Sequence, residues 1–191
     1  MTLDLTTNPT DFLILYSITK VFEHVEDLDG VLVEIGRVLK QDGIMLSLFP
    51  SREVVREGHC GIPFGHRFRK DSKLGYLWLL AFRKLGFGTY HGQKTPEQWA
   101  KDFMEWLHAW CYYRPRAEIN EAYRRAGFSF DSDEMSYVIS RLNYRDMGWL
   151  MPLAKLSPSL TSYTFRKLGG MVVLSSRRNP RPSLGLLPPL R

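Results

Sequence analysis

The 191-residue sequence contains only two cysteines, and it has neither an apolar run long enough to cross a membrane nor a secretion signal at its amino terminus. Two cysteines in differing contexts give no disulfide framework of the kind that stabilises small secreted domains. A membrane span needs about 20 consecutive apolar residues, and a signal peptide needs a basic region followed by an apolar core. These absences favour a single globular, cytoplasmic protein with no membrane partner.

Sequence patterns that bind zinc are absent as well. The candidate ligands His59, Cys60, His66 and Cys111 occur without a CxxC pair or an HxxxH pair. A structural zinc site needs four closely paired ligands. The sequence alone therefore predicts no metal site.

The sequence has fewer acidic than basic residues, 20 against 26, and its net charge is +6. Such a balance favours acidic partners or nucleic acid. The positive charge is nevertheless scattered in short clusters, and none interleaves aromatic side chains as a platform for single-stranded RNA does. We interpret these clusters as solvated helix ends and a basic tail, with RNA binding kept as a disfavoured alternative.

The first 50 residues predict a strand, a helix and a second strand. Residues 12–16 form an unbroken apolar run, which is typical of a strand buried on both faces. Residues 31–39 then carry apolar side chains at helical spacing, and residues 44–49 form another apolar strand that Pro50 ends. The unit at 11–50 predicts a right-handed crossover between two parallel, neighbouring strands.

The rest of the chain is predicted from capping residues and apolar periodicity. Thr95-Pro96-Glu97-Gln98 is a capping box with proline at the first helical position, and it marks a helix start. The other predicted elements are a Gly- and His-bearing loop at 51–68, helices at 71–85 and about 116–126, a strand at 128–142, a short helix or irregular insert at 143–156, a strand at 169–176 and a disordered, basic, proline-rich tail at 177–191.

Several segments carry a family resemblance. They are VFEHV at 21–25, LVEIGRVLKQDG at 32–43, IMLSLFP at 44–50, EGHCGIPFGHRF at 57–68, EAYRRAGF at 121–128 and GMVVLS at 170–175. Together they resemble the carboxyl-terminal half of the class I S-adenosylmethionine-dependent methyltransferases, in particular the small-molecule group called type 11.

The resemblance implies an α/β fold with a partial Rossmann-like sheet. The four strands would be equivalent to the family's fourth to seventh, in the order 6-7-5-4 with the last strand antiparallel, and helices would cover both faces, with an added helical segment at 71–126. This domain would span residues 1–176. The family's first three strands, with their glycine-rich turn and acidic residue, have no counterpart upstream of residue 11. The chain is therefore expected to be truncated and to lack an intact cofactor site of its own.

By the same resemblance, the activity is methyl transfer from S-adenosylmethionine to a small-molecule acceptor. Ser17 and Thr19 would contact the methionine end of the cofactor, although both hydroxyls also suit a plain strand end. In the loop at 51–68, the candidate acid or base groups are Glu57, His59 and His66, and Arg67 is the candidate anion contact. That loop can equally be a structural one whose polar groups satisfy one another. Glu23-His24 is expected to be a structural turn more than a catalytic pair.

Four aromatic residues share one stripe of the helix that begins at Thr95, namely Trp99, Phe103, Trp106 and Trp110. The simplest interpretation is that these four side chains are buried in the hydrophobic core. Otherwise Trp106 and Trp110 would line an apolar substrate pocket, or the stripe would bind a partner.

A second interpretation assigns no enzymatic activity. The predicted strand at 11–18 would lie at the edge of the sheet, and long apolar edges pair with other chains. The chain would then be an interaction module that binds a second chain supplying the missing strands, or that forms a homodimer. An inactive gene fragment is a third possibility.

Overall fold

The four strands of the chain form one mixed sheet. In a computed structural model, residues 15–40, 43–89, 92–132 and 134–176 are described, so the start of the predicted first strand and the tail at 177–191 lie outside the described residues. The strands are Leu15–Thr19 (β1), Ile44–Phe49 (β2), Ser129–Ser132 (β3) and Met171–Ser176 (β4), and their order in the sheet is β1-β2-β4-β3.

The predicted parallel pairing of two neighbouring strands joined by a helix is confirmed, because β1 and β2 are parallel and adjacent, with Leu15 opposite Ile44. The strand β4 runs antiparallel to both of its neighbours, β2 and β3. Within the described residues β1 pairs with β2 alone, which places it at the edge of the sheet.

Seven α-helices surround this sheet in the part of the chain that the structure describes. None of them is long and apolar enough to cross a membrane. They are Leu28–Val38 (α1), Lys73–Lys84 (α2), Pro96–Trp110 (α3), Arg116–Arg125 (α4), Glu134–Tyr144 (α5), Met151–Leu156 (α6) and Pro158–Leu168 (α7).

Helices cover both faces of the sheet, as predicted. On one face, Leu32 of α1 and Tyr123 of α4 pack in one cluster with Met45 of β2. The buried Tyr123 hydroxyl donates a hydrogen bond of 2.8 Å to Ser47 Oγ on the same face of β2. On the other face, Tyr137 of α5 and Phe165 of α7 pack against a cluster that contains Leu46, Val172 and Leu174.

The helices α2 and α3 form a separate apolar cluster outside the sheet. Leu79 and Trp99 are buried there with Ile62 of the loop after β2. The start of α3 agrees with the predicted capping box, since Thr95 Oγ1 accepts from the Gln98 amide at 3.2 Å. At the start of α2, Ser72 Oγ accepts from the Gly75 amide at 3.1 Å. This cluster fixes the loop against the two helices.

The predicted strand at 128–142 is wrong beyond its first residues. The strand β3 ends at Ser132, and α5 occupies most of the remainder. Val138 and Ile139 are β-branched and favour a strand locally, but Met135, Val138, Ile139 and Leu142 recur at helical spacing. Tyr137 of this helix packs against a cluster that contains Val172 and Leu174 of β4. The helix α7 was not predicted at all, although proline at its first position is a start signal.

Gly170 precedes β4, and a substitution there tests how closely the chain approaches β2 at this point. Its φ is +123°, and a Cβ placed there would lie 2.7 Å from the Phe49 carbonyl oxygen. We expect Gly170→Ala to lower the free energy of unfolding by at least about 2 kcal/mol in urea denaturation, because both the backbone angle and the clash oppose the new methyl group.

The matched control is Gly58→Ala, since a Cβ at Gly58 would meet nothing within 4 Å. That variant should unfold within about 1 kcal/mol of the wild type. Equal stability of the Gly170→Ala protein would contradict the close approach of Gly170 to β2.

Candidate active site

A cavity of about 680 Å³ opens at the carboxyl ends of β1 and β2. Lys20 follows β1 directly, and Leu48, Phe49 and Pro50 mark the end of β2. The opposite side of the cavity is formed by α5 and α7. Ligands of open α/β sheets bind at the carboxyl ends of the strands, and the volume is that of a small-molecule pocket.

Glu57, in the loop after β2, is the buried centre of this site. Its Oε2 accepts hydrogen bonds from the backbone amides of His59 and Cys60 at 2.8 and 2.7 Å. Its Oε1 accepts from the Tyr113 hydroxyl at 2.7 Å and lies 2.6 Å from His59 Nδ1. Burial raises the pKa of Glu57, but these donors outweigh it and lower the pKa to about 2. The carboxylate is therefore ionised at neutral pH.

His59 is oriented by Glu57. The hydrogen bond from Nδ1 to the carboxylate raises the pKa of His59, and partial burial opposes that shift. The His59 and Trp106 rings pack in an edge-to-face arrangement, with ring centroids 5.0 Å apart. Since Nδ1 is bound to Glu57, only Nε2 is left to act on a ligand.

His24 lies next to His59, and sequence reasoning treated it as part of a turn. It ends a single 3₁₀ turn after β1, Phe22–His24. Its Nδ1 lies 2.7 Å from the Trp110 carbonyl oxygen, and its Nε2 lies 3.3 Å from Nε2 of His59. The two histidines are 35 positions apart, so no local pattern links them.

Glu23 provides a second buried carboxylate in the lining. The residue is 3% exposed, and its Oε2 has no hydrogen-bond partner. Burial raises the pKa of Glu23, while its own backbone amide and the charge of His24 oppose the shift. An unpartnered buried carboxylate oxygen favours a cationic ligand nearby.

Four predicted site residues are absent from the cavity lining, namely His66, Arg67 and the two tryptophans of the aromatic stripe, Trp106 and Trp110. His66 is buried, stacks on the Tyr113 ring at 4.5 Å and bonds the Arg52 carbonyl at 3.1 Å through Nε2. Arg67 donates to the Glu53 carbonyl at 3.3 Å and lies over the Phe64 ring. In this structure His66 and Arg67 both brace the loop, and neither lines the cavity.

The aromatic stripe divides into two parts. Trp99 is 3% exposed and belongs to the core, whereas Trp110 is 62% exposed. Trp106 contacts the rings of both His24 and His59, at centroid distances of 6.3 and 5.0 Å. Ser17 and Thr19 lie in β1, and their side chains are outside the described part of the chain.

Four cations also line the cavity, and one of them, Arg141, was missed because 128–142 was interpreted as a strand. Arg141 and Arg145 are four residues apart and share one side of α5 and its following turn. Lys20 and Arg56, which follow β1 and β2, complete the set. The lining therefore offers positive as well as negative charge to a ligand.

No family model matches the chain, and a search of curated proteins finds no match either. The functional interpretation thus depends on the resemblance of the quoted segments and on the geometry of the cavity.

The pH dependence of stability tests the environment of Glu57. Its folded pKa of about 2 lies below its ordinary 4.5, so its contribution to stability is complete above pH 4.5 and is lost as the pH falls toward 2. We expect the difference in unfolding free energy between wild type and Glu57→Gln to shrink by about 3 kcal/mol across that window, measured by urea denaturation. Glu105→Gln, an exposed change on α3, is the control. A difference that stays constant with pH would contradict the assignment.

The ring of His59 reports the same interaction by NMR titration. Its pKa should fall in Glu57→Gln, because the hydrogen bond to Glu57 is the main cause that raises it. The pKa of His108, which lies elsewhere on α3, should stay unchanged.

Proposed function

We propose that this chain is the acceptor-side portion of a class I S-adenosylmethionine-dependent methyltransferase domain, acting on a small anionic molecule. The sheet order carries the proposal. The order β3-β4-β2-β1, with β4 antiparallel, is the one that the sequence resemblance implies for the family's strands 6-7-5-4. The cavity at the carboxyl ends of β1 and β2 supports the same assignment.

The described residues fit one side of this cofactor. S-adenosylmethionine supplies an electrophilic methyl group on a positively charged sulfonium. The unpartnered carboxylate oxygen of the buried Glu23 provides negative charge in the cavity for such a cation. No described loop offers the glycine-rich turn that the family uses, so we propose that further strands complete the site along the free edge of β1.

His59 is the proposed general base. S-adenosylmethionine would supply the methyl group and leave as the thioether. An acceptor hydroxyl, thiol or amine that takes up this methyl group would give its proton to Nε2 of His59. Glu57 holds the ring by Nδ1 and stabilises the imidazolium that forms. Much of the rate comes from positioning the acceptor in line with the methyl group.

The cations favour an acceptor that carries a carboxylate or phosphate group. Arg141 and Arg145 face the cavity from the α5 side, and the carboxylates Glu23 and Glu57 lie with the histidines after β1 and β2. An anionic acceptor bound by the arginines would present its other end to His59. The matching of opposite charges sets the orientation of the ligand.

Titration of the ¹⁵N-labelled chain with S-adenosylhomocysteine tests this proposal. We expect concentration-dependent shift changes at the amides of Lys20, Ser51 and His59, which follow β1 and β2, because a partial site binds weakly but locally. Glu23→Gln should leave the binding of S-adenosylhomocysteine unchanged, because its thioether is uncharged. The same substitution should weaken the binding of S-adenosylmethionine. Shift changes confined to α4, or absent at millimolar ligand, would contradict the proposal.

Calorimetry separates the two parts of the proposal. Micromolar binding of S-adenosylmethionine by the monomeric chain would contradict a site completed by further strands, and it would leave the methyltransferase assignment in place.

Among the described residues β1 is paired along one edge only, which also favours a second candidate function, binding of another chain by strand addition. On that account the chain should elute as a dimer or larger species in size-exclusion chromatography with light scattering, and it should dissociate on dilution. A monomer at high concentration would argue against this function.

A further inference from the structure

Two imidazole rings and a thiol converge beside the cavity. His24 Nε2 and His59 Nε2 lie 3.3 Å apart. Cys111 follows α3, and one ligand atom from each of these three residues lies within 4.8 Å of the other two. We propose that His24, His59 and Cys111 form a binding site for a zinc ion. This inference goes beyond the methyltransferase proposal, because it depends only on contacts among these side chains.

The hydrogen bonds on the far side of each ring determine which nitrogen is free. The Trp110 carbonyl can only accept, so Nδ1 of His24 carries a proton. The ionised Glu57 carboxylate likewise accepts from Nδ1 of His59. With a proton on each Nδ1, the nitrogen left to bind an ion through its lone pair is Nε2 in both rings. Histidines that bind metals show this arrangement, with the second nitrogen held by a carboxylate or a backbone carbonyl.

The spacing of the rings fits a shared ion. Two nitrogens bound ~2.05 Å from one zinc at the tetrahedral angle lie about 3.3 Å apart, which equals the observed Nε2 separation. With each ring centre ~1.15 Å behind its nitrogen, the same geometry puts the two centres about 5.2 Å apart. The observed centroid separation of His24 and His59 is 5.1 Å.

A direct hydrogen bond between the rings fits less well. A linear N–H···N contact of that length would separate the ring centres by about 5.6 Å, and typical hydrogen bonds to nitrogen are ~0.3 Å shorter. The observed centroid separation of 5.1 Å is shorter than that of a linear contact, so the two ring axes are not collinear with the line that joins the nitrogens. An ion shared by both Nε2 atoms fits this separation.

Cys111 supplies the third ligand. Its Sγ lies 3.8 Å from Nδ1 of His24. In a tetrahedral site it would lie about 3.6 Å from Nε2 of each ring, so this half-buried side chain would have to turn from the Nδ1 side of His24 toward Nε2 when the ion binds. Burial raises the pKa of the Cys111 thiol to about 12, so the ion binds with release of a proton. Glu57 and Glu23, which lower the energy of a positive charge at His59, offset the charge of the ion.

The fourth position faces the cavity, since His24 and His59 both line it. Three protein ligands and one open position are typical of catalytic zinc sites, whereas structural sites are closed by four. A bound zinc ion would use the lone pair of His59 Nε2. The same nitrogen could not then accept a proton, so zinc binding and general-base catalysis by His59 would exclude each other.

Titration of the chelator-treated full chain with Co²⁺ tests the site. We expect one equivalent to bind, with the visible bands of a tetrahedral ion and a near-ultraviolet thiolate charge-transfer band, and Zn²⁺ should displace it. Cys111→Ser should remove the thiolate band, and His24→Gln should weaken binding by at least about tenfold. The matched controls His108→Gln and Cys60→Ala should keep both signals.

Circular dichroism shows whether each variant folds. Where a variant does not fold, the Co²⁺ spectrum of the wild type alone still tests whether the three side chains bind the ion. Absence of Co²⁺ and Zn²⁺ binding, or a bound ion without a thiolate band, overturns the three-ligand site. A band that survives in folded Cys111→Ser overturns it too. None of these measurements involves S-adenosylmethionine, so a failed cofactor titration and a failed metal titration remain distinguishable.

Discussion

The candidate site depends on the burial of a single carboxylate, that of Glu57. A buried charge without donors is strongly destabilising, so the surrounding chain has to supply hydrogen bonds. The loop after β2 provides two backbone amides, and Tyr113 reaches in from the segment after α3. His59 provides the last donor and is thereby held with Nε2 free. The same interactions that satisfy Glu57 thus tie the loop to the helical segment and orient the ring.

The helix α3 carries this constraint to the second histidine. Its last residue, Trp110, presents the carbonyl that fixes His24, and Trp106 packs against both imidazole rings. At the other end of α3, Trp99 is buried and lies under the Arg83 guanidinium. One stripe of aromatic side chains therefore anchors the helix at its start and forms part of the site at its end.

Local interactions made much of the fold predictable from the sequence. The crossover of β1, α1 and β2 and the helix caps at Ser72 and Thr95 depend on residues close together in the chain. Glu57 and His59 were predicted together with His66 as candidate acid or base groups of one loop, and only Glu57 and His59 line the cavity. His24 and Cys111 could not be linked, because 87 positions separate them and only the packing of α3 brings them together. Arg141 of α5 was missed because β-branched residues masked the helical period of that segment.

The electrostatics of the cavity join the two proposals. Its carboxylates and imidazole rings follow β1 and β2 together with Lys20 and Arg56, whereas Arg141 lies on α5 and Arg145 just after it. Under the two proposals, Glu23 and Glu57 would stabilise a positive centre, whether a sulfonium or a metal ion, and Arg141 and Arg145 would stabilise an anionic acceptor. Glu23 and Glu57 are buried, so water screens their charges less than those of the exposed Arg141 and Arg145. The buried carboxylates would therefore contribute more than the arginines to the orientation of such a ligand pair.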